Sequence, residues 1–240
     1  MRGKAAPTIV PLDQAQEPKT LVEAAYLRLR RDIIEGAYAP GEKLRVEHLK
    51  DTYEVGAGTL REALLLLVTD ALVVAQGQRG FRVAPISIAD CEDISRTRVL
   101  LETEALRQSI ARGDDAWEAA LVAAFHRLTR AEQKLTDNDT STTEEWEKCN
   151  HAFHDALIAA SPSRWIRHFE QILYQQSERY RRISLFRQPI TRDIHAEHHA
   201  LFDATLARDG VRATSILSEH ILRTLDAVKR LPLEFFNHHG

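Results

Sequence analysis

Three histidines and an asparagine carry the most specific chemistry in the chain. Asn150 precedes His154 by four residues, so on a helix both side chains project from one face about one turn apart. Asp209 and Gly210 read as the turn of an antiparallel helical hairpin, with His198 eleven residues before Asp209 and His220 ten after Gly210. At 1.5 Å per residue both lie roughly 16 Å from the turn, level with each other across the hairpin. Two such pairs meeting in a bundle core offer three imidazoles and one oxygen, a donor set suited to a borderline divalent ion such as Zn²⁺ or Ni²⁺. The competing reading is ordinary: among eleven histidines, any single one is more often a surface or singly hydrogen-bonded residue. His151 and His199, each one residue from a candidate ligand, should turn about 100° away, whereas His195 is placed to line the same cavity.

The second chemistry is nucleic-acid recognition, carried by residues 40–83, PGEKLRVEHLKDTYEVGAGTLREALLLLVTDALVVAQGQRGFRV. Leu49 and Tyr53 lie on one helical face, and Leu60, Ala63, Leu64, Leu67 and Val68 form a second apolar stripe at helical spacing. Two short amphipathic helices therefore pack together, joined through EVGAG, whose glycines suit the positive φ of a sharp turn. The second helix opens on Gly58, Thr59 and Arg61, the end that such motifs insert into the major groove. LVVAQ and GFRVA then flank Gly77, Gln78 and Arg79 as a hairpin with an arginine at its tip. Arg61 is a candidate base contact, because ion pairing with Glu62 or Asp70 is poorly spaced. Arg45 and Thr59 reach phosphate or base, Arg79 the minor groove or a phosphate, and Gly80 lets the wing backbone come close. For Arg79 the alternative is a solvated turn residue.

These elements sit in a chain of 240 residues, a length that favours two domains. Hydrophobic residues make up 44% and charged residues 28%, ordinary for a soluble globular protein, and no apolar run reaches the ~18 residues of a membrane span. Residues 1–18 lack a secretory signal and read as a flexible arm, so the chain is expected in the cytoplasm with Cys91 and Cys149 reduced. Residues 19–84 read as a winged helix-turn-helix DNA-binding domain of three helices plus a β-hairpin wing. Its first helix runs from a Thr20 cap to Glu35, with Leu21, Ala24, Ala25, Leu27, Ile33 and Ile34 toward the core and its arginines toward water. Residues 85–88 are a linker. Residues 89–231 show only helical periodicity, an all-α bundle of six to seven helices predicted at 89–112, 115–135, 143–160, 164–186, 191–208 and 211–230, followed by a tail at 232–240. The fold is therefore mainly α. Net charge is −3, and residues 1–84 hold 12 Lys and Arg against 11 Asp and Glu, so DNA binding must rest on where individual arginines point.

Two resemblances add to this reading. PGEKL, Leu49, VGAGTLREAL and RGFRVA resemble the DNA-binding domain of GntR-family transcription regulators, with Gly56 and Ala57 standing where that family usually has Ser-Arg. RVLLE at 98–102, NHAFH at 150–154 and EHHALFDATLARDGVRATSILSEH at 197–220 resemble the FCD effector domain of the FadR-type subfamily. The second resemblance implies a metal held by Asn150, His154, His198 and His220, with Asn in place of the commoner Asp. It also implies a small carboxylate or hydroxy-acid effector anchored on that metal and on Arg98, whose alternative partner is Glu102 at i+4. Tyr174, Ser177, Tyr180 and Arg181 share one predicted helix, and Tyr174 and Ser177 are assigned to the effector pocket. The expected function is a homodimeric, ligand-responsive repressor on a palindromic DNA operator, with no membrane partner. The rivals are a metal-dependent enzyme, for which Glu197 is the only candidate base, and a constitutive DNA-binding protein with a structural metal. Trp117, Trp146 and Trp165 are expected in the core or at an interface.

Overall fold

The computed structural model describes residues 18–135, 140–187, 193–232 and 236. The expected arm, apart from residue 18, lies outside them, as do most of the tail and part of the polar loop before residue 143. The chain runs α1 (Leu21–Ile34), β1 (Lys43–Leu44), α2 (Val46–Tyr53), α3 (Ala57–Thr69), β2 (Val73–Ala75) and β3 (Phe81–Val83). It continues as α4 (Ile88–Arg112), α5 (Asp115–Lys134), α6 (Thr140–Ile158), α7 (Arg164–Arg187), α8 (Ile194–Leu206) and α9 (Gly210–Lys229). This is a mainly helical chain in which a winged helix-turn-helix precedes an all-helical bundle.

In α1 the Thr20 hydroxyl accepts the Glu23 N–H at 3.1 Å and the Glu23 carboxylate accepts the Lys19 N–H at 2.8 Å, a reciprocal cap that fixes the start of the helix. The helix buries Ala25, Tyr26, Leu29, Ile33 and Ile34. Two residues expected in that stripe face out instead, Leu21 at 69% and Leu27 at 38% exposure. Tyr26 sets the rotation of the helix, because its hydroxyl donates to Asp70 at 2.6 Å and its ring sits in the core, leaving Leu27 about 100° away. The arginines of α1 are not all in water either: Arg28 donates to the Tyr53 carbonyl and Arg30 pairs with Glu178 of α7.

Leu49 and Tyr53 of α2 pack against Leu60, Ala63, Leu64 and Leu67 of α3, as their spacing predicts. The turn between them differs from expectation. Its left-handed residue is Glu54, at φ 55°, not a glycine; Gly56 has φ −65° and serves as the N-cap of α3. The Val55 N–H closes back onto the Lys50 carbonyl at 3.1 Å, so helix-terminating hydrogen bonds hold Glu54 in that conformation. The wing is the antiparallel pair β2 and β3, and β1 adds to the other edge of β3 to give the order β1-β3-β2. A two-residue strand has too little periodicity to be read from sequence. At the tip, Gly80 adopts φ 87°, ψ −140°, a conformation open only to glycine.

The bundle core includes Leu106, Trp117, Leu121, Leu128, Phe153, Leu157, Leu201 and Leu217. Trp117 donates its indole N–H to the Ala156 carbonyl at 2.8 Å, and Gly113, the C-cap of α4, admits no side chain because a Cβ there would lie 2.1 Å from the Trp117 ring. Trp146 is buried, whereas Trp165 is 55% exposed. A smaller cluster, Ile86, Cys91, Ile94, Tyr180, Leu225, Val228 and Leu231, fastens the start of α4 to α7 and α9, and Phe236 of the tail packs on it. Cys91 and Cys149 are both free thiols. No helix among the described residues is long and apolar enough to cross a membrane.

Candidate metal centre and nucleic-acid interface

Three helices of the bundle bring candidate metal ligands together in its interior. Asn150 and His154 come from α6, His198 from α8 and His220 from α9, with exposures of 3%, 3%, 0% and 7%. One nitrogen from each of the three imidazoles falls within 4.8 Å of the others, and the ring centres of His198 and His220 are 4.8 Å apart. The helical hairpin thus sets His198 and His220 level, and the one-turn pair on α6 meets them.

The donor atoms fit a cation. The Asn150 Oδ1, His154 Nδ1 and His198 Nε2 atoms are buried and have no hydrogen-bond partner among the described residues. Burying a lone-pair acceptor without a partner costs about 1–3 kcal/mol each, and the imidazoles of His154, His198 and His220 hold one nitrogen each close enough together for a single cation to take up. Carboxylates fix the orientation of two rings: Glu132 Oε1 lies 2.6 Å from His198 Nδ1, and Glu197 Oε2 lies 2.8 Å from His220 Nδ1. With Nδ1–H donated outward, Nε2 presents its lone pair inward. Burial, followed by the neighbouring His220 and His198, holds His154 well below the ordinary histidine range, so its imidazole stays neutral and able to ligate. Glu132→Gln keeps the size of the side chain but removes the charge. We expect a 10–100-fold weaker Zn²⁺ affinity, roughly the range for lost outer-shell partners, measured by competition with a chromogenic chelator. An unchanged affinity would show that Glu132 does not orient the ligand.

Of the competing histidines, His199 faces out and pairs with Asp203, as expected. His195 does not line the cavity; it is drawn outward onto the other oxygen of Glu132 at 2.6 Å. His151 stacks on Tyr174 with ring centres 4.5 Å apart. Glu197 also pairs with Arg223 at 3.2 Å, which commits the single candidate base to holding His220.

Beside the histidines lie two buried arginines. Arg98 donates to Glu102 at 2.6 Å and to the Ser177 hydroxyl at 2.7 Å, so its i+4 pairing and its burial at the pocket coexist. Arg181, weighed in the sequence but not assigned, makes a two-pronged pair with Glu147 at 2.9 and 2.7 Å and reaches Ser177 at 3.3 Å. Both guanidinium carbons stand about 5 Å from the Tyr174 ring centre, at 5.0 and 4.8 Å, and the Tyr174 hydroxyl accepts from Asn150 at 2.6 Å. Arg98, Tyr174 and Arg181 line the cavity with Asn150, His154 and His220. Ser177 is not in that lining; it holds the two arginines from behind, because its hydroxyl is already shared between them.

One buried acid nearby has no partner. Glu170 of α7 is 1% exposed, and neither carboxylate oxygen has a hydrogen bond among the described residues. Burial, then the charge of Glu102, lifts its pKa to about 8. A raised carboxyl pKa makes folding favour the proton, so the associated stability is complete below the ordinary value of 4.5 and is lost as pH rises toward 8. Glu170→Gln is therefore expected to match the parent near pH 4.5 and to exceed it by up to ~1.4 kcal/mol more for each pH unit above that, until about pH 8. Urea unfolding across this range measures it, and a pH-independent difference would contradict the burial argument.

The candidate DNA-contacting residues are spread over the start of α2, α3 and the wing tip. Arg45, Arg61 and Arg79 are exposed and make no ion pair or side-chain hydrogen bond among the described residues, so Asp70 and Glu62 do not hold Arg61. Thr59 and Gly80 are half-buried. Arg45 is the N-cap of α2, Arg61 lies in the second turn of α3, and Arg79 is at the wing tip. The N-terminus of α3 has no side-chain cap, which leaves its first N–H groups open to a phosphate.

Comparison with known proteins agrees with this geometry. Residues 21–83 match the family of bacterial regulatory proteins of gntR type, and residues 93–223 match the FCD domain. The chain is 46% identical over 215 residues to the uncharacterized HTH-type transcriptional regulator BphR of Paraburkholderia xenovorans, covering 90% of this chain and 88% of that one. It is 36% identical over 209 residues to the HTH-type transcriptional repressor GlaR of Escherichia coli, covering 85% and 94%. Among solved structures, a putative GntR regulator from Rhodococcus sp. RHA1 superposes with a TM-score of 0.69 at 19% identity, covering 87% and 97% of the two chains. E. coli McbR/YncC does so at 0.68 and 21%, covering 88% and 98%. A winged DNA-binding unit, a buried histidine cluster in a helical partner and these relatives together show that the chain belongs to the GntR family of bacterial transcription regulators, in the group whose second domain is an FCD domain.

Proposed function

We propose that the chain is a cytoplasmic, ligand-responsive repressor that binds a palindromic operator as a homodimer and is released from it by a small carboxylate or hydroxy acid. In this reading residues 19–84 bind DNA, 85–88 link, and 89–231 bind effector and dimerise. The repressor sense is supported by the similarity to GlaR, a transcriptional repressor. The observation that carries the reading is the cluster of three buried imidazoles beside two buried guanidiniums. Asn150, His154, His198 and His220 would hold Zn²⁺ or Ni²⁺, and the ion when bound would supply a Lewis-acidic position for a carboxylate. Arg98 and Arg181 orient the other end of the acid, Tyr174 stacks between them and the ligands, and Ser177 fixes the two guanidiniums. With a neutral asparagine where a carboxylate is commoner, the ligand set contributes no negative charge, which favours an anionic effector at the ion.

At the DNA, Arg61 reads a base, Arg45 and Thr59 reach base or backbone, and Arg79 with Gly80 brings the wing tip to the groove. Two copies of this surface match the two-fold symmetry of an operator. Arg61→Ala is expected to weaken operator binding by about 1–3 kcal/mol while leaving non-specific binding nearly intact, as for a lost bidentate guanine contact. Anisotropy titrations on operator and scrambled DNA at one salt concentration test this; equal losses on both would reassign Arg61 to phosphate.

A further inference from the structure

Helix α7 presents its two sides to two different parts of the protein. Tyr174, Ser177 and Arg181, spaced three and four apart, turn toward the histidine cluster and its arginines. Their immediate neighbours hold the winged unit. Gln176 donates its side-chain amide to the Asp70 carbonyl at the end of α3. Arg179 donates to the Ala84 carbonyl after β3 at 2.8 Å. Glu178 pairs with Arg30 of α1 at 3.4 Å, and Arg182 lies 3.8 Å from Glu35 at the end of α1. The Tyr180 hydroxyl accepts the Ser87 N–H at 3.1 Å, in the linker itself.

Space around the helix is uneven. The cavity at the histidines is about 10 Å³, room for one water and no more. Across Tyr174 lies a larger cavity of about 190 Å³, between α1 on one side and α6 and α7 on the other, and Tyr174 lines both. An acid of several heavy atoms enters the first cavity only if a wall yields, and the wall carrying Tyr174 has empty volume behind it.

We propose that α7 is the transmission element of the regulator. Ligand in the pocket displaces Tyr174 and its helix toward the interdomain cavity, and the same displacement loosens the grip of Gln176, Glu178, Arg179 and Arg182 on the winged unit. The inference rests on the effector reading above but names the moving part and its direction. A helix transmits in this way because neighbouring positions on it cannot move independently.

The test needs no effector. Thr224→Trp, on α9, adds an indole to the pocket from a wall that α7 does not form. Amide exchange by mass spectrometry on the full chain reads the response. Exchange at 26–35, 70–72 and 84–88 is expected to rise about tenfold or more, with the α5–α6 core unchanged. Wild-type exchange in those segments, in a variant folded by circular dichroism, would overturn the proposal. Gln176→Ala with Arg182→Ala provides a second route that leaves the pocket face alone. Releasing the outer grip should raise exchange at 174–181 as well as in the winged segments, and protection at 174–181 equal to the parent would also overturn it. A Zn²⁺ titration of the parent chain separates the two readings. Absence of stoichiometric binding there contradicts the metal assignment and leaves the exchange result standing.

Discussion

His198→Ala is expected to take up no stoichiometric divalent metal, whereas the parent chain is expected to bind one ion for each chain. His198 is fully buried, its Nε2 has no hydrogen-bond partner among the described residues, and it is the candidate ligand of α8 in a set drawn from three helices. Its removal leaves no other histidine of α8 turned toward the cluster, because His195 and His199 are turned outward. The variant also strands Glu132, with His195 as its remaining partner. A modest loss of stability, about 1–3 kcal/mol, should accompany the loss of metal. Metal content by plasma emission after dialysis, with circular dichroism as the control for folding, reads the result. Full retention of the ion would refute the ligand set.

Arg181→Ala has the largest expected effect on stability. Arg181 and Glu147 are 6% and 4% exposed and bound to each other through two prongs. Removing one partner leaves a buried carboxylate uncompensated, at a cost of about 3–5 kcal/mol. The paired change Arg181→Met with Glu147→Leu removes both charges at similar volume and should recover most of that loss. The exposed pair Arg107 and Glu104 shows the contrast: at 62% and 41% side-chain exposure, its removal should cost roughly 0–1 kcal/mol. Chemical denaturation of the three variants decides it, and Arg181→Ala unfolding like the Arg107 variant would mean that solvent reaches the pocket.

Where the sequence was legible, a periodic signal existed. The six helices of the bundle follow from apolar spacing, and the structure adds that the side chains of Ser87, Asp114 and Asp209 cap three of them by accepting the N–H groups of Asp90, Trp117 and Arg212. The His198–His220 alignment followed from counting residues away from a turn. What stayed hidden were contacts between elements distant in sequence. Glu132 and Glu147 sit on helices where nothing local distinguishes them from surface acids, yet they fix His198 and Arg181. The outward turn of Leu27 has the same origin, in the Tyr26–Asp70 bond, whereas the left-handed Glu54 is set locally by the hydrogen bonds that end α2. Tyr26 and the hydrogen bonds ending α2 override the local preference for a buried leucine and a turn glycine. Arg98 was readable as either a surface ion pair or a pocket residue; burial makes it both.

The central claim, that a small acid bound at the buried cluster changes DNA affinity, is tested most directly by fluorescence anisotropy. Labelled DNA from upstream of the chain's own gene is titrated with Zn²⁺-loaded protein at fixed salt, with and without each of a panel of small carboxylic and hydroxy acids. Salt is held constant because it sets phosphate-driven affinity. One acid should weaken operator binding by about 5–150-fold, the range of a 1–3 kcal/mol coupling, and the shift should vanish in His198→Ala. Operator affinity identical with every acid, in parent and variant alike, would contradict the account and leave a DNA-binding protein indifferent to its own pocket.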